Sequence, residues 1–191
     1  MDRDSLHDRG RSLEEEYFRN KNRELIEKMQ REAADDRARQ ELEAKTGLHD
    51  PELIRELQAL GFTAETVSLL PLVPVIRVAW AEGGVTMEER QEIMRFARSR
   101  GIAEGTPADR QLSEWLTHCP DEQVFTRATR LIGALLDTPA QAQVGLTADD
   151  LVKECEKIAA ASGGIFGIRS ISADERALLA SITDALKKRK S

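Results

Sequence analysis

The sequence predicts an all-α protein: a compact helical bundle with two pseudo-repeated helix-loop-helix halves, preceded by a long charged helix. Apolar residues recur at helical spacing in six segments separated by glycine, proline and capping residues. Charged residues make up 32% of the chain with both signs mixed, as on solvated helix faces. No segment alternates in the manner of a strand. Helices are expected near residues 65–82, 87–100, 107–118, 121–138, 148–161 and 173–188.

The segment 10–46 predicts a long helix with few apolar positions. So narrow an apolar stripe does not stabilise an isolated helix, so this helix must pack on the main domain, a second copy or a partner. We therefore expect two parts, an arm (residues 1–49) that contributes little to the core and a helical domain (residues 50–191). Candidate partner-binding residues in a helix pair are Tyr17, Phe18, Leu25, Ile26 and Met29.

The start of the helical domain is marked by turn and cap residues. Gly47 is expected to end the charged helix. Asp50 is expected to cap a short helix with Pro51 at its first position, and Gly61 to end it.

The most hydrophobic run, Val67–Ala81, predicts a buried core helix that begins at Pro71 or Pro74. The run is shorter than the roughly 20 apolar residues that a membrane-spanning helix needs, and it contains Arg77. No transmembrane segment is expected. The later helices are expected to begin at four hydroxyl caps, Thr86, Thr106, Thr147 and Ser172.

Composition favours a soluble, cytoplasmic protein. The start of the chain lacks the apolar stretch of a signal peptide. The cysteines, Cys119 and Cys155, fit neither a disulfide framework nor a zinc pattern. A net charge of −6 opposes nucleic-acid binding, which requires a basic surface.

No pattern of catalytic residues stands out. The glycine pairs lack a P-loop or dinucleotide-binding context, and no nucleophile elbow is present. Cys119 follows His118, but neighbouring positions on a helix point to different faces, and none of the three histidines has an HExxH partner. We expect no catalytic residues and no enzymatic activity.

Two segments of the domain resemble each other. Val75–Glu89 and Glu156–Glu175 each contain an apolar helix, a Gly-Gly break, a β-branched hydrophobic residue and a Ser/Thr-x-x-Glu helix start. This repeat resembles the TerB-like (tellurite-resistance) helical domain family over residues 65–190. The resemblance implies an all-α fold with two pseudo-symmetric halves, and a stress-response role.

The same resemblance implies a divalent-metal site built from a loop acid and a helix-start acid, which are Glu82 and Glu89 in the first half. Two carboxylates suit a hard cation such as Ca²⁺ or Mg²⁺. Glu82 stands where the family has Asp, and Ser162 replaces the loop acid in the second half. Thr86-x-x-Glu89 also fits a capping box, which explains the same residues without a metal. No other cofactor is expected.

A second resemblance lies at the N-terminus. The segment Leu6–Phe18 is similar to the opening of the small zeta-type inhibitor of bacterial F1-ATPase, over about the first 60 residues, and implies a helical interaction arm. The later signature of that family is missing, so no inhibitory activity is carried over.

Three functions follow as hypotheses. The first is a non-enzymatic binding or regulatory module whose arm binds a protein partner or a second copy. The alternative is a divalent-metal-binding, stress-response protein. The third, an enzyme that uses carboxylates, requires two acids in one cleft with separated pKa values.

Overall fold

A computed structural model describes residues 3–136, 147–161 and 173–187. Within these ranges the chain contains α-helices and one 3₁₀ helix and no strand, so the all-α prediction is confirmed. Contacts divide the chain into two compact units, Met1–Gln40 and Glu41–Ser191.

The helices follow the sequence expectation closely except over residues 65–82. In chain order they are α1 (Arg3–Thr46), α2 (Pro51–Ala59), the 3₁₀ helix (Val67–Leu72), α3 (Val73–Ala79), α4 (Met87–Ser99), α5 (Pro107–Trp115), α6 (Glu122–Leu136), α7 (Ala148–Ala161) and α8 (Ala173–Lys187).

Local chemistry sets the ends of these helices as expected. Gly47 follows α1 with a φ of 66°, a conformation that glycine adopts without steric cost. The Asp50 side chain accepts a hydrogen bond from the Glu52 backbone N–H at 2.8 Å, and Pro51 opens α2. Thr86, Thr106 and Thr147 all cap their helices, whereas Ser172 lies outside the described residues.

The hydrophobic run expected as one helix over 65–82 is divided in two. Pro71 lies inside the 3₁₀ helix and Pro74 lies in the first turn of α3. Neither proline has a backbone N–H, so a continuous α-helical ladder cannot cross this stretch. α3 is buried on nearly every side. It contacts α4, α6, α7 and α8, which makes it the central helix of the second unit.

The end of α1 and the segment that follows it contribute to the core. Leu42 is 1% exposed and Leu48 is 3% exposed, and both pack in the hydrophobic cluster of the second unit. The expectation that residues 10–46 contribute little to the core therefore does not hold for residues 41–46. The contacts place the division after Gln40, where the sequence suggested residue 49.

Candidate functional site

The turn before α4 carries the first-half carboxylates. Glu89 is 2% exposed, and its Oε2 accepts hydrogen bonds from the Thr86 backbone N–H at 2.7 Å and the Thr86 hydroxyl at 2.9 Å. The Glu89 N–H in turn donates to Thr86 Oγ1 at 3.2 Å. These bonds form a reciprocal capping box, which satisfies donors at the start of α4 and places a carboxylate at its positive end.

Glu82 precedes this turn and is exposed. Among the described residues no three His, Cys, Asp or Glu side chains are grouped as a metal site. In the second half, Ser162 lies outside the described residues, as do the side chains of Asp174 and Glu175. The assignment of Glu82 and Glu89 as metal ligands stays a prediction, and the geometry at Glu89 favours capping.

We expect weak or no specific divalent-cation binding, because one oxygen of Glu89 already accepts two hydrogen bonds. Titration calorimetry of the chelator-treated chain with Ca²⁺, Mg²⁺ and Zn²⁺ measures this. Glu82→Gln and Glu89→Gln are the matched variants. A submicromolar site that both variants abolish would show that the carboxylates serve a metal rather than the cap alone.

The candidate partner-binding residues lie on the first unit. We call Tyr17, Phe18, Leu25, Ile26 and Met29 the arm face. More than half of each of these side chains is exposed, from 54% for Ile26 to 62% for Phe18. The Tyr17 and Phe18 rings meet edge to face, with centroids 5.9 Å apart. At 100° per residue, Phe18, Leu25, Ile26 and Met29 fall on one side of α1, and Tyr17 lies beside them.

A charged cluster joins α4 to α5, and sequence reasoning missed it. Asp109 is 8% exposed. Its carboxylate accepts hydrogen bonds from Arg98 Nη2 at 2.7 Å and from the Gly105 backbone N–H at 2.9 Å. Arg98 also donates to the Ile102 carbonyl at 2.6 Å. The hydrogen bond from Gly105 and the Arg98 guanidinium hold the pKa of Asp109 below its usual value. The cluster fixes the connection between two helices.

The depressed pKa of Asp109 gives a pH-dependent stability. This carboxylate stabilises the fold above its unfolded pKa near 3.8, and the contribution is lost as pH falls through the lower folded value. Asp109→Asn should lower the free energy of unfolding by about 1.5–3 kcal/mol at pH 7, the usual contribution of hydrogen bonds to a charged group.

The difference in the free energy of unfolding between Asp109→Asn and the native chain should shrink as the pH falls below 4. Urea unfolding from pH 7 to pH 2 measures it. Asp36→Asn is the control, because the Asp36 side chain is 65% exposed and lies 3.5 Å from Arg39 in a surface pair. If Asp109→Asn lowers the stability by the same amount at every pH, the ionised Asp109 carboxylate is not the group that stabilises the fold.

A cavity of about 410 Å³ lies in the second unit. Its walls are mostly apolar, and they include Leu70, Ile102 and Ile132; Lys45 and Arg100 are the cations that line it. The lining comes from the end of α1, from the 3₁₀ helix and the loop before it, from the start of α5 and the segment that leads into it, and from α6. These elements are distant in sequence. No local motif marks such a space, so sequence reasoning could not find it.

The two thiols differ in setting. Cys119 is exposed, whereas Cys155 is buried in α7, where burial raises its pKa to about 12. Cys155 therefore stays protonated at neutral pH and is a poor nucleophile. Both thiols are free.

The sequence matches no protein-family model, no curated protein and no solved structure. The resemblances to the TerB-like family and to the zeta-type inhibitor thus rest on the residues quoted for them. In the described part of the chain no helix is both long and apolar enough to cross a membrane.

Proposed function

We propose that this protein is a non-enzymatic binding or regulatory module of TerB-like type, in which the charged N-terminal helix binds a protein partner or a second copy. One observation carries the proposal: the arm face leaves large apolar side chains exposed on the first unit. The resemblance of the repeat in residues 65–190 to the TerB-like family supports the description of the second unit.

The energetics of the arm face favour a binding role. Full burial of one large apolar side chain contributes about 1.5–3 kcal/mol. The exposed ion pair between Lys28 and Glu32, at 3.8 Å, adds little to the stability of α1. Contiguous exposed apolar surface is typical of a site that another molecule covers. Burial of the arm face by a partner therefore stabilises the complex through the hydrophobic effect, a contribution that these side chains do not make while they are exposed.

Site-specific photocrosslinking in living cells tests the proposal. A photoreactive phenylalanine analogue at Phe18 should give a defined protein adduct, and Leu25→Asp should remove it because a charge enters the arm face. The same analogue at Glu27, which falls on the opposite side of α1, is the control. Absence of an adduct at Phe18, or an equal adduct at both positions, would contradict the proposal.

The alternative function, a divalent-metal-binding stress-response protein, is supported by the sequence resemblance. The hydrogen bonds of Glu89 to Thr86 favour the binding module over it. The calorimetric titration described above separates the two.

A further inference from the structure

We propose that the arm face pairs with the same face of a second copy, as a parallel two-stranded coiled coil with Asn22 facing Asn22 at its centre. The proposal deepens the proposed function and rests on it, because it names the partner of the arm. Three features of α1 carry it: a heptad seam, a central asparagine and the placement of two lysines.

The seam occupies consecutive a and d positions of a heptad repeat. With Asn22 at a, Phe18 and Leu25 fall at d and Met29 falls at the next a. All four side chains are exposed along an unbroken helix. Such positions face a partner helix and insert between its side chains. Ile26, at an e position, widens the apolar side of the seam.

Asn22 discriminates between kinds of partner. It lies between Phe18 and Met29 along the seam, so whatever covers those apolar neighbours also covers the amide. Against a purely apolar groove the amide loses its hydrogen bonds to water, which costs about 1–3 kcal/mol. Against a second copy in register, the two amides hydrogen-bond to each other. A single asparagine at an a position selects this register and the dimeric state.

The charges beside the seam favour the parallel orientation. Lys21 and Lys28 occupy g positions. In a parallel pair each g residue lies beside the e residue five positions later on the partner, here Ile26 and Ala33, so neither lysine meets a like charge. In an antiparallel pair g residues face g residues, and lysine opposes lysine. Like charges at such flanking positions oppose pairing.

The seam is short. Glutamates occupy the a position at residue 15 and the d position at residue 32, and they end the apolar run on either side. Twelve residues of helix, from 18 to 29, extend only about 18 Å at 1.5 Å per residue. We therefore expect weak, concentration-dependent dimerisation.

Sedimentation velocity of the full chain measures the association. From about 5 to about 500 µM, a range suited to weak binding, the fraction of dimer should rise. Leu25→Asp should weaken association at least about tenfold, since a charge enters the apolar seam. Asn22→Val should keep or strengthen association but lose the single dimeric stoichiometry. A chain that stays monomeric at the highest concentration overturns the proposal, as does a Leu25→Asp variant that associates normally.

Disulfide crosslinking measures the orientation. In a Cys119→Ser background, Glu32→Cys places a thiol at a d position, where a parallel pair brings it against its own copy. It should form a crosslinked dimer under mild oxidation, while Cys155 stays buried. Arg31→Cys, on the far side of α1, is the control and should not crosslink. Equal crosslinking at both positions, or none at Glu32→Cys, overturns the parallel register.

The outcomes also separate this proposal from the proposed function. A photocrosslink from Phe18 to a second copy agrees with both. A photocrosslink to a different protein, together with a monomeric chain in sedimentation, overturns self-pairing and leaves the arm as a binding helix. Absence of any adduct, together with a monomeric chain in sedimentation, contradicts both.

Discussion

Removal of residues 1–40 should leave a chain that unfolds cooperatively, with a Tm close to that of the intact protein. Removal of residues 1–49 should instead lower the Tm sharply or prevent folding. The difference comes from Leu42 and Leu48, which are 1% and 3% exposed in the core of the second unit. Loss of one buried leucine side chain costs about 2–5 kcal/mol. A whole domain has only about 5–15 kcal/mol of stability.

Thermal and urea unfolding of both truncations measure this contrast. Point variants in the full chain provide a matched comparison on the same helix. Leu42→Ala should cost about 2–5 kcal/mol, whereas Leu25→Ala, at a position 55% exposed, should change stability by less than about 0.5 kcal/mol. Equal Tm values for the two truncations, or unfolding of the chain that lacks residues 1–40, would contradict the division after Gln40.

The features that the sequence predicted are those that depend on near neighbours. Asp50, Thr86 and Thr106 each satisfy a backbone N–H two or three residues later. The chain between the capping side chain and the backbone N–H that donates to it is too short to be affected by distant contacts. Glycine ends a helix for an equally local reason, since only the backbone at that residue must adopt a positive φ. Helix positions could therefore be predicted closely.

The features that the sequence did not predict depend on contacts between distant segments. Leu42 looks like one more sparse apolar residue of a charged helix, and only the packed structure shows it buried. Asp109 and Arg98 lie on different helices, and their side chains come into direct contact because of the path of the loop between those helices. The cavity near Ile132 draws its walls from several elements. The apolar periodicity of one helix does not indicate which other element of the fold packs on it.

The contact between α6 and α8 gives the second large expected effect. A Cβ atom added at Gly133 would lie 2.8 Å from the backbone carbonyl oxygen of Ala185, so Gly133 permits the close approach of these two helices. Replacing Gly133 by alanine stabilises α6 by about 1 kcal/mol through higher helix propensity. The added Cβ atom destabilises the packing by about 1–3 kcal/mol. The net effect of Gly133→Ala is therefore small. Gly133→Leu adds further carbons against a rigid backbone and should destabilise the fold by about 3 kcal/mol or more.

Urea unfolding of both Gly133 variants measures whether leucine destabilises the fold more than alanine does, with Gly84→Leu as the control. A Cβ at Gly84 meets no atom within 4 Å, and its φ lies outside the left-handed region, so leucine there should be tolerated. Because α6 and α8 both contact the central α3, separating them also disturbs the packing around Ile76 and Ile182, which are 0% and 1% exposed. Near-UV circular dichroism should then lose signal while the far-UV helical signal is largely kept. If Gly133→Leu unfolds at the same urea concentration as Gly84→Leu, the two helices do not approach each other as closely as described.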